Sequence, residues 1–262
     1  MLLSTAINDL PPIYAAGCDR WFQDAELTPC WVGGRYGHPK TAVMLGDSIG
    51  AQWQPSVRAA LSTEDWNLLI LTKSACPIVD QDIEYARAGG TYTVCSEWRD
   101  SAVQHTEALG PDLVILGSSQ VYAFSEDEWR EGPERLLDRL AAPERAFMLW
   151  IGNQYLGRHG PHCLAQSERL GRNLAACDDH ESTADNVVPR IRAAFETLER
   201  ERARVHVLDP NSWACPEGLC RAVTDGGTVV FRDNRHVTAT FALAMAPLIR
   251  TKMHEHGLLS SE

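Results

Sequence analysis

No apolar run in the 262-residue chain approaches the roughly 18–20 residues of a transmembrane helix, so no segment is expected to span a bilayer. Residues 1–14 carry neither the basic start nor the apolar stretch of a secretory signal. Positive charge is not in excess: the formal net charge is -11. That argues against nucleic acid or an anionic membrane as the main partner, because phosphate binding needs clustered Lys and Arg. The tight C-x-x-C and H-x-x-x-H spacings of zinc sites do not occur, and no metal is expected. Neither an internal repeat nor a linker divides the chain.

Cysteine, by contrast, is plentiful. The eight residues Cys18, Cys30, Cys76, Cys95, Cys163, Cys177, Cys215 and Cys220 fall in four sequence-local twos. Disulfides closing short loops would produce such twos, although eight cysteines formally permit on the order of a hundred connectivities. Disulfides imply an oxidising compartment. Cysteines without a signal point to an excised domain whose export information lies upstream.

Residues 1–40 hold Pro11-Pro12, Gly17, Gly33-Gly34 and Gly37 without sustained periodicity, and read as an irregular lead-in pinned by Cys18 and Cys30. From Ala42 the pattern becomes β-α-β. Strands are expected at 42–45, 66–72, 113–116, 146–151 and 205–208, with a short extended piece at 228–231. Helices are expected at 55–61, 95–109, 126–140, 186–202 and 238–251. The helix at 126–140 opens on acidic residues and carries arginines later, which suits its dipole. In 186–202, Val188, Ile191, Ala194 (or Phe195) and Leu198 recur at helical spacing. Residues 154–185 read as loop. Strands alternating with helices predict one α/β domain over 41–262, with a mostly parallel sheet and right-handed crossovers.

The stretch Ala42-Val43-Met44-Leu45-Gly46-Asp47-Ser48-Ile49-Gly50 ends a buried strand on a glycine and hands a serine to the turn. Gly46 and Gly50 permit a sharp turn and close approach to a ligand. Open α/β sheets place their ligands at this carboxyl end, which makes Ser48 a candidate nucleophile. It needs a base, and a group to orient that base. Of nine histidines, His254 and His256 read as solvated surface and His206 as packed inside a strand. His159, His162 and His180 lie in the cysteine-bracketed segment, and His38 and His105 have no useful carboxylate. His236 differs, following Asp233 by three residues after a strand and before a helix. In a turn, that spacing lets the carboxylate reach Nδ1 while Nε2 faces outward. A turn merely capped by Asp233 is the alternative. Gly46 to Gly50 also match the G-x-S-x-G elbow of α/β-hydrolases. In that fold, however, the serine follows several strands, and the acid and histidine sit well apart.

Gly46-Asp47-Ser48 after the first strand and Asp233-x-x-His236 before the last helix resemble the SGNH (GDSL-like) hydrolase superfamily. The resemblance implies a three-layer α/β/α flavodoxin-like fold around a five-stranded sheet, ester chemistry and no cofactor. Ser48 would be the nucleophile, His236 the general base and acid, and Asp233 the group orienting His236. Leu71 to Pro77, Cys95, Trp98, Cys215 to Cys220 and Phe231 to Thr238 resemble one subfamily. It is that of the extracytoplasmic SGNH domains fused to bacterial type-3 membrane acyltransferases, which O-acetylate surface glycans. This implies the pairs Cys18–Cys30, Cys76–Cys95, Cys163–Cys177 and Cys215–Cys220. It also implies an extracytoplasmic location, an upstream membrane acyltransferase domain as tether, and an acyl donor and a carbohydrate acceptor as partners.

Two departures concern the oxyanion hole. The superfamily has a glycine after the second strand, where this chain reads Lys73-Ser74-Ala75. It has Gly-x-Asn-Asp after the third, where this chain reads Gly117-Ser118-Ser119-Gln120. The expected donors are the backbone of Ser48 and Ser74 and the side chain of Ser119 or Gln120; Asn153 reads as a turn residue. The expected reaction is acetyl transfer to a cell-surface carbohydrate. An esterase, or a glycan-binding module that has lost turnover, is the alternative.

Overall fold

The computed structural model describes residues 3–21, 23–32, 39–62, 66–153, 155–157, 160–180 and 187–259. Gly33-Gly34, Gly37, His38, His159 and the expected helix start at Asn186 lie outside the described residues.

The centre of the sheet is β3 (Lys40–Gly46), whose last five residues are fully buried. It pairs in parallel with β4 (Trp66–Lys73) on one side and β7 (Leu113–Gly117) on the other. Beyond β7 lie β8 (Ala146–Trp150) and β10 (Val205–Leu208), both parallel. Near-continuous apolar runs such as Trp66-Asn67-Leu68-Leu69-Ile70-Leu71 mark strands covered on both faces. Among the described residues the sheet has seven strands rather than five. β1 (Asp19–Arg20) adds in parallel to the end of β4, and β2 (Cys30–Val32) runs antiparallel along its middle. Both come from the lead-in and are too short to leave a period in sequence. Two small ladders stand apart, β5 (Glu84–Tyr85) with β6 (Gly90–Thr91) and β9 (Asp179–His180) with β11 (Leu219–Cys220).

Alternate strand residues face opposite sides, and each side receives its own helices. Met44, Ile70, Ile115 and Met148 pack with α3 (Gln54–Leu61), α9 (Ala239–Ala244) and α10 (Ala246–Glu255). Val43, Leu69, Val114 and Leu149 pack with α4 (Thr93–Leu109), α5 (Glu126–Arg139) and α7 (Val188–Glu201). Each such buried side chain contributes about 1.5–3 kcal/mol. The shorter helices are α1 (Pro12–Ala15), α2 (Ser48–Ala51) and α8 (Asn211–Ala214). The single terminal helix expected at 238–251 is two, because Pro247 in the first turn of α10 lacks the N–H that would continue α9. The loop expected at 154–185 contains α6 (Gly160–Arg169), which buries Leu164 against Ala6, Cys177 and Val229. Disulfides join Cys18–Cys30, Cys76–Cys95, Cys163–Cys177 and Cys215–Cys220.

From β3 the chain steps to β4 and then crosses to β7 on the opposite side of β3. Strand order reverses there, and the carboxyl ends of β3 and β7 frame the crevice where such sheets bind ligands. Backbone contact closes it from below. A Cβ on Gly46 would lie 2.2 Å from the Gly117 carbonyl oxygen, and one on Gly50 2.5 Å from the same atom. Gly46→Ala is therefore expected to lower the unfolding free energy by about 1–3 kcal/mol or more. Gly226→Ala, whose new methyl meets only ordinary contact with Thr224, is expected to cost less than about 0.5 kcal/mol in the same urea titration. Equal effects would show that the approach of α2 to β7 is not tight.

Candidate active site

Ser48 stands at the first position of α2, immediately after β3. Asp47 caps that helix: its Oδ1 accepts from Ile49 N at 2.8 Å. Its Oδ2 accepts from Ser119 N and from the Tyr122 hydroxyl, both at 2.8 Å, which ties the loop after β7 to the serine turn. Burial pushes the Asp47 carboxyl up to about 6, with these donors working against the rise.

The base arrives from the far end of the chain. His236 Nε2 lies 2.9 Å from Ser48 Oγ, and His236 Nδ1 lies 2.7 Å from Asp233 Oδ2. A neutral imidazole therefore donates from Nδ1 to the carboxylate and accepts the serine proton at Nε2. Asp233 folds its own turn as well, its Oδ1 accepting from Arg235 N at 2.8 Å and His236 N at 2.7 Å. Burial alone would raise Asp233, but the hydrogen bonds from the His236 ring and the turn amides hold it far below the usual carboxylate range. For His236, burial lowers the imidazole and outweighs the Asp233 hydrogen bond that raises it, while Arg232 and Arg235 repel the added charge.

A buried amide relay locks these parts together. Val237 N donates to Gln52 Oε1 at 2.7 Å, and Gln52 Nε2 donates to Asn153 Oδ1 at 2.8 Å. The Trp53 indole N–H also reaches Asn153 Oδ1, at 3.3 Å. Asn153 is thus a buried anchor and not a turn residue, a role its position after a strand could not reveal. Gln52 likewise left no sequence signal, since both partners lie about a hundred or more residues away.

The expected oxyanion donors divide. Among the described residues the Ser48 N–H donates to no acceptor, and Ser48 lines the cavity. Ser119 uses its N–H on Asp47, and its hydroxyl oxygen accepts from Val121 N at 3.3 Å, so its O–H stays available to the cavity it lines. Ser74 is engaged elsewhere: its N–H donates to the Arg20 carbonyl at 2.8 Å and its hydroxyl to Asp19 at 2.5 Å. Gln120 is buried and does not line the cavity. The residue that sequence reasoning missed is Ala75. It lines the cavity with φ at 62°, in the left-handed region that glycine adopts freely, and its N–H has no acceptor among the described residues. It follows the second long strand, where the superfamily's glycine stands.

The cavity over Ser48 holds about 610 Å³. Trp21, more than half exposed, forms part of its rim. Buried Lys73 holds that rim, its Nζ donating to the Trp21 and Asp24 carbonyls at 2.6 Å each. Away from the cavity, His256 is half-buried with its ring centroid 4.5 Å from that of His206, and not simply solvated. With Glu199 they bring ligand atoms within 4.8 Å of one another, a metal-capable group from three elements that no sequence spacing announces.

A serine, histidine and aspartate hydrogen-bonded in this order at the carboxyl edge of a three-layer α/β/α sheet place the molecule among SGNH-type folds. Residues 17–251 match the family described as the SGNH domain fused to AT3 domains, and the chain belongs to that family. Among solved structures, the periplasmic domain of a lipopolysaccharide acetyltransferase from Salmonella ser. Paratyphi A is similar at 11% identity with a TM-score of 0.64, covering 85% of each chain. A Bacteroides fragilis protein assigned as an acylhydrolase is similar at 14% identity with a TM-score of 0.50, covering 82% of this chain and 87% of its own. The C-terminal catalytic domain of Streptococcus pneumoniae peptidoglycan O-acetyltransferase A aligns more loosely, with a TM-score of 0.45 and 10% identity over 84% of this chain and 96% of its own. The first two likenesses, at 11% and 14% identity, show a shared fold and nothing finer. No curated protein matches this chain.

The lowered imidazole keeps His236 neutral to lower pH, so the acid limb of kcat/KM for ester cleavage is expected below about 6.5. Asp233→Asn removes the raising partner, which should move the limb further down and cut kcat by about 10²–10⁴. A wild-type limb above the ordinary imidazole value in a pH–rate profile would contradict this assignment. Ala75→Gly, which relieves a left-handed alanine, is expected to keep ester cleavage within a few-fold and to raise stability by up to about 1 kcal/mol in thermal unfolding.

Proposed function

We propose that this chain transfers an acyl group, acetyl in the simplest case, from a donor to a hydroxyl of a cell-surface carbohydrate through an acyl-serine at Ser48. The observation that carries this reading is the continuous hydrogen-bonded line Ser48–His236–Asp233 in a domain whose family is fused to AT3 domains.

The reaction is ping-pong. His236 Nε2 takes the Ser48 proton as Oγ bonds to the acyl carbon, and the oxyanion is held by the N–H groups of Ser48 and Ala75 and the Ser119 hydroxyl. His236 then gives its proton to the leaving oxygen or sulfur as that bond breaks. In the second half an acceptor hydroxyl surrenders its proton to His236 and attacks the acyl-serine, and Ser48 leaves with that proton. Asp233 stays ionised throughout and steadies the imidazolium. Losing one oxyanion donor typically lowers the rate about 10²–10³-fold, so three donors hold the transition state as a group. The resemblance of the fold to a periplasmic acetyltransferase domain and the four disulfides support a site outside the cytoplasm. There an upstream membrane acyltransferase domain would tether the enzyme and deliver the donor. No helix among the described residues is long and apolar enough to cross a membrane.

Incubation with p-nitrophenyl acetate, with and without oligosaccharides, separates the outcomes. Wild-type protein is expected to release nitrophenol and yield acetylated sugar by mass spectrometry, and Ser48→Ala is expected to lower both by at least about 10³-fold. Release without acetylated sugar would favour an esterase, and release that survives Ser48→Ala would refute the triad.

A further inference from the structure

The molecule carries an excess of acidic residues, with a formal net charge of -11, yet three arginines line the cavity over Ser48: Arg87, Arg232 and Arg235. Elsewhere arginines are mostly matched with carboxylates, as in Arg139 with Asp80 and Asp100, Arg202 with Glu134 and Asp138, and Arg192 with Asp209. Of the cavity arginines, only Arg232 has a carboxylate partner among the described residues. Arg87, on the exposed turn between β5 and β6, has no ion pair or hydrogen bond among the described residues. Arg235 rests its guanidinium over the Tyr155 ring at 5.2 Å and has no carboxylate partner among the described residues. Arg232 meets Asp233 only at 3.5 Å, and its Nε is buried without a hydrogen-bond partner. Tyr14, beneath that guanidinium at 6.0 Å, also lines the cavity and has a buried hydroxyl with no partner.

The two carboxylates in the cavity offset only part of this charge: three guanidinium groups face two carboxylates, and only Asp233 reaches one of them, Arg232 at 3.5 Å. Asp47 accepts from Ile49, Ser119 and Tyr122, and Asp233 accepts from Arg235 N, His236 N and the His236 ring. Guanidinium groups match carboxylate and phosphate oxygens in pairs, and a concave wall focuses their field. An acetyl group fills only a small part of about 610 Å³. The remaining space, with Trp21 exposed at the rim, is the acceptor's. Resting on the acyl-transfer reading above, we propose that the acceptor is an acidic glycan whose carboxylate or phosphate is bound by Arg87, Arg232 and Arg235, which sets one of its hydroxyls against the acyl-serine.

Calorimetry on wild-type protein tests the anion site independently of catalysis, using trigalacturonate, phosphorylated maltotriose and neutral maltotriose as probes. At low salt at least one acidic probe is expected to bind ten-fold or more tighter than maltotriose, with an affinity that falls steeply as salt rises. Which acidic probe binds better distinguishes a carboxylate from a phosphate acceptor. Arg87→Gln and Arg235→Gln should each shrink the acidic preference several-fold and raise KM for acetylation of the preferred probe more than they lower kcat. Arg58→Gln, on exposed α3 surface, should leave the preference intact. Acidic probes that bind no tighter than maltotriose, or a preference unmoved by both cavity substitutions, overturn the proposal. Nitrophenol release from p-nitrophenyl acetate by the same wild-type sample keeps the two readings apart. Release without acidic preference sinks this inference alone, whereas acidic binding without release sinks the acyl-serine.

Discussion

Everything at this site depends on one buried carboxylate. Asp47 caps the helix that begins with Ser48, receives the N–H of Ser119 from the neighbouring strand's loop, and receives the Tyr122 hydroxyl. A buried charge is tolerated only when its oxygens are filled, and here they are filled by the very segments that must be held in register. The constraint is mutual: Gly46 and Gly50 must lack side chains for the helix to sit on Gly117, and only that contact brings Ser119 within reach of Asp47. The Ser48 turn and the Ser119 loop are therefore positioned by the same polar knot.

The hydrogen-bonded line Ser48–His236–Asp233 was legible in the sequence because its parts are locally written. A glycine-flanked serine after an apolar run, and an aspartate three residues before a histidine between strand and helix, are short patterns whose chemistry restricts the residue types. The five central strands were legible for a related reason, since burial on both faces demands apolar runs. The rest of the site was hidden for distinct physical causes. Ala75 adopts a glycine's conformation without being glycine, and backbone dihedrals leave no mark in composition. Gln52 and Asn153 act through contacts across about a hundred residues, which no local window contains. Ser74 looked like an oxyanion donor until β1, a strand of two residues, was seen to claim its N–H. Lys73 is buried and grips two carbonyls of the rim, a contact that no local sequence window contains.

The lead-in is more than a pinned coil. Through β1 and β2 it covers the edge that β4 would otherwise expose, which removes a site for unwanted strand pairing. The same segment brings Trp21 to the cavity, so the protection of the sheet and the shape of the cavity rim are set by one stretch of chain, clamped by Cys18–Cys30.

The relay from Asn153 through Gln52 to Val237 joins the two ends of the chain, and its consequence concerns time. Ser48 and His236 are 188 residues apart. During synthesis the Ser48 turn emerges early, before His236 and before Val237, the partner of Gln52. Contacts of such long range carry a loop-closure cost that slows folding. The Ser48–His236 hydrogen bond therefore awaits completion of the chain's C-terminal side, and a partly emerged chain holds Ser48 without its histidine.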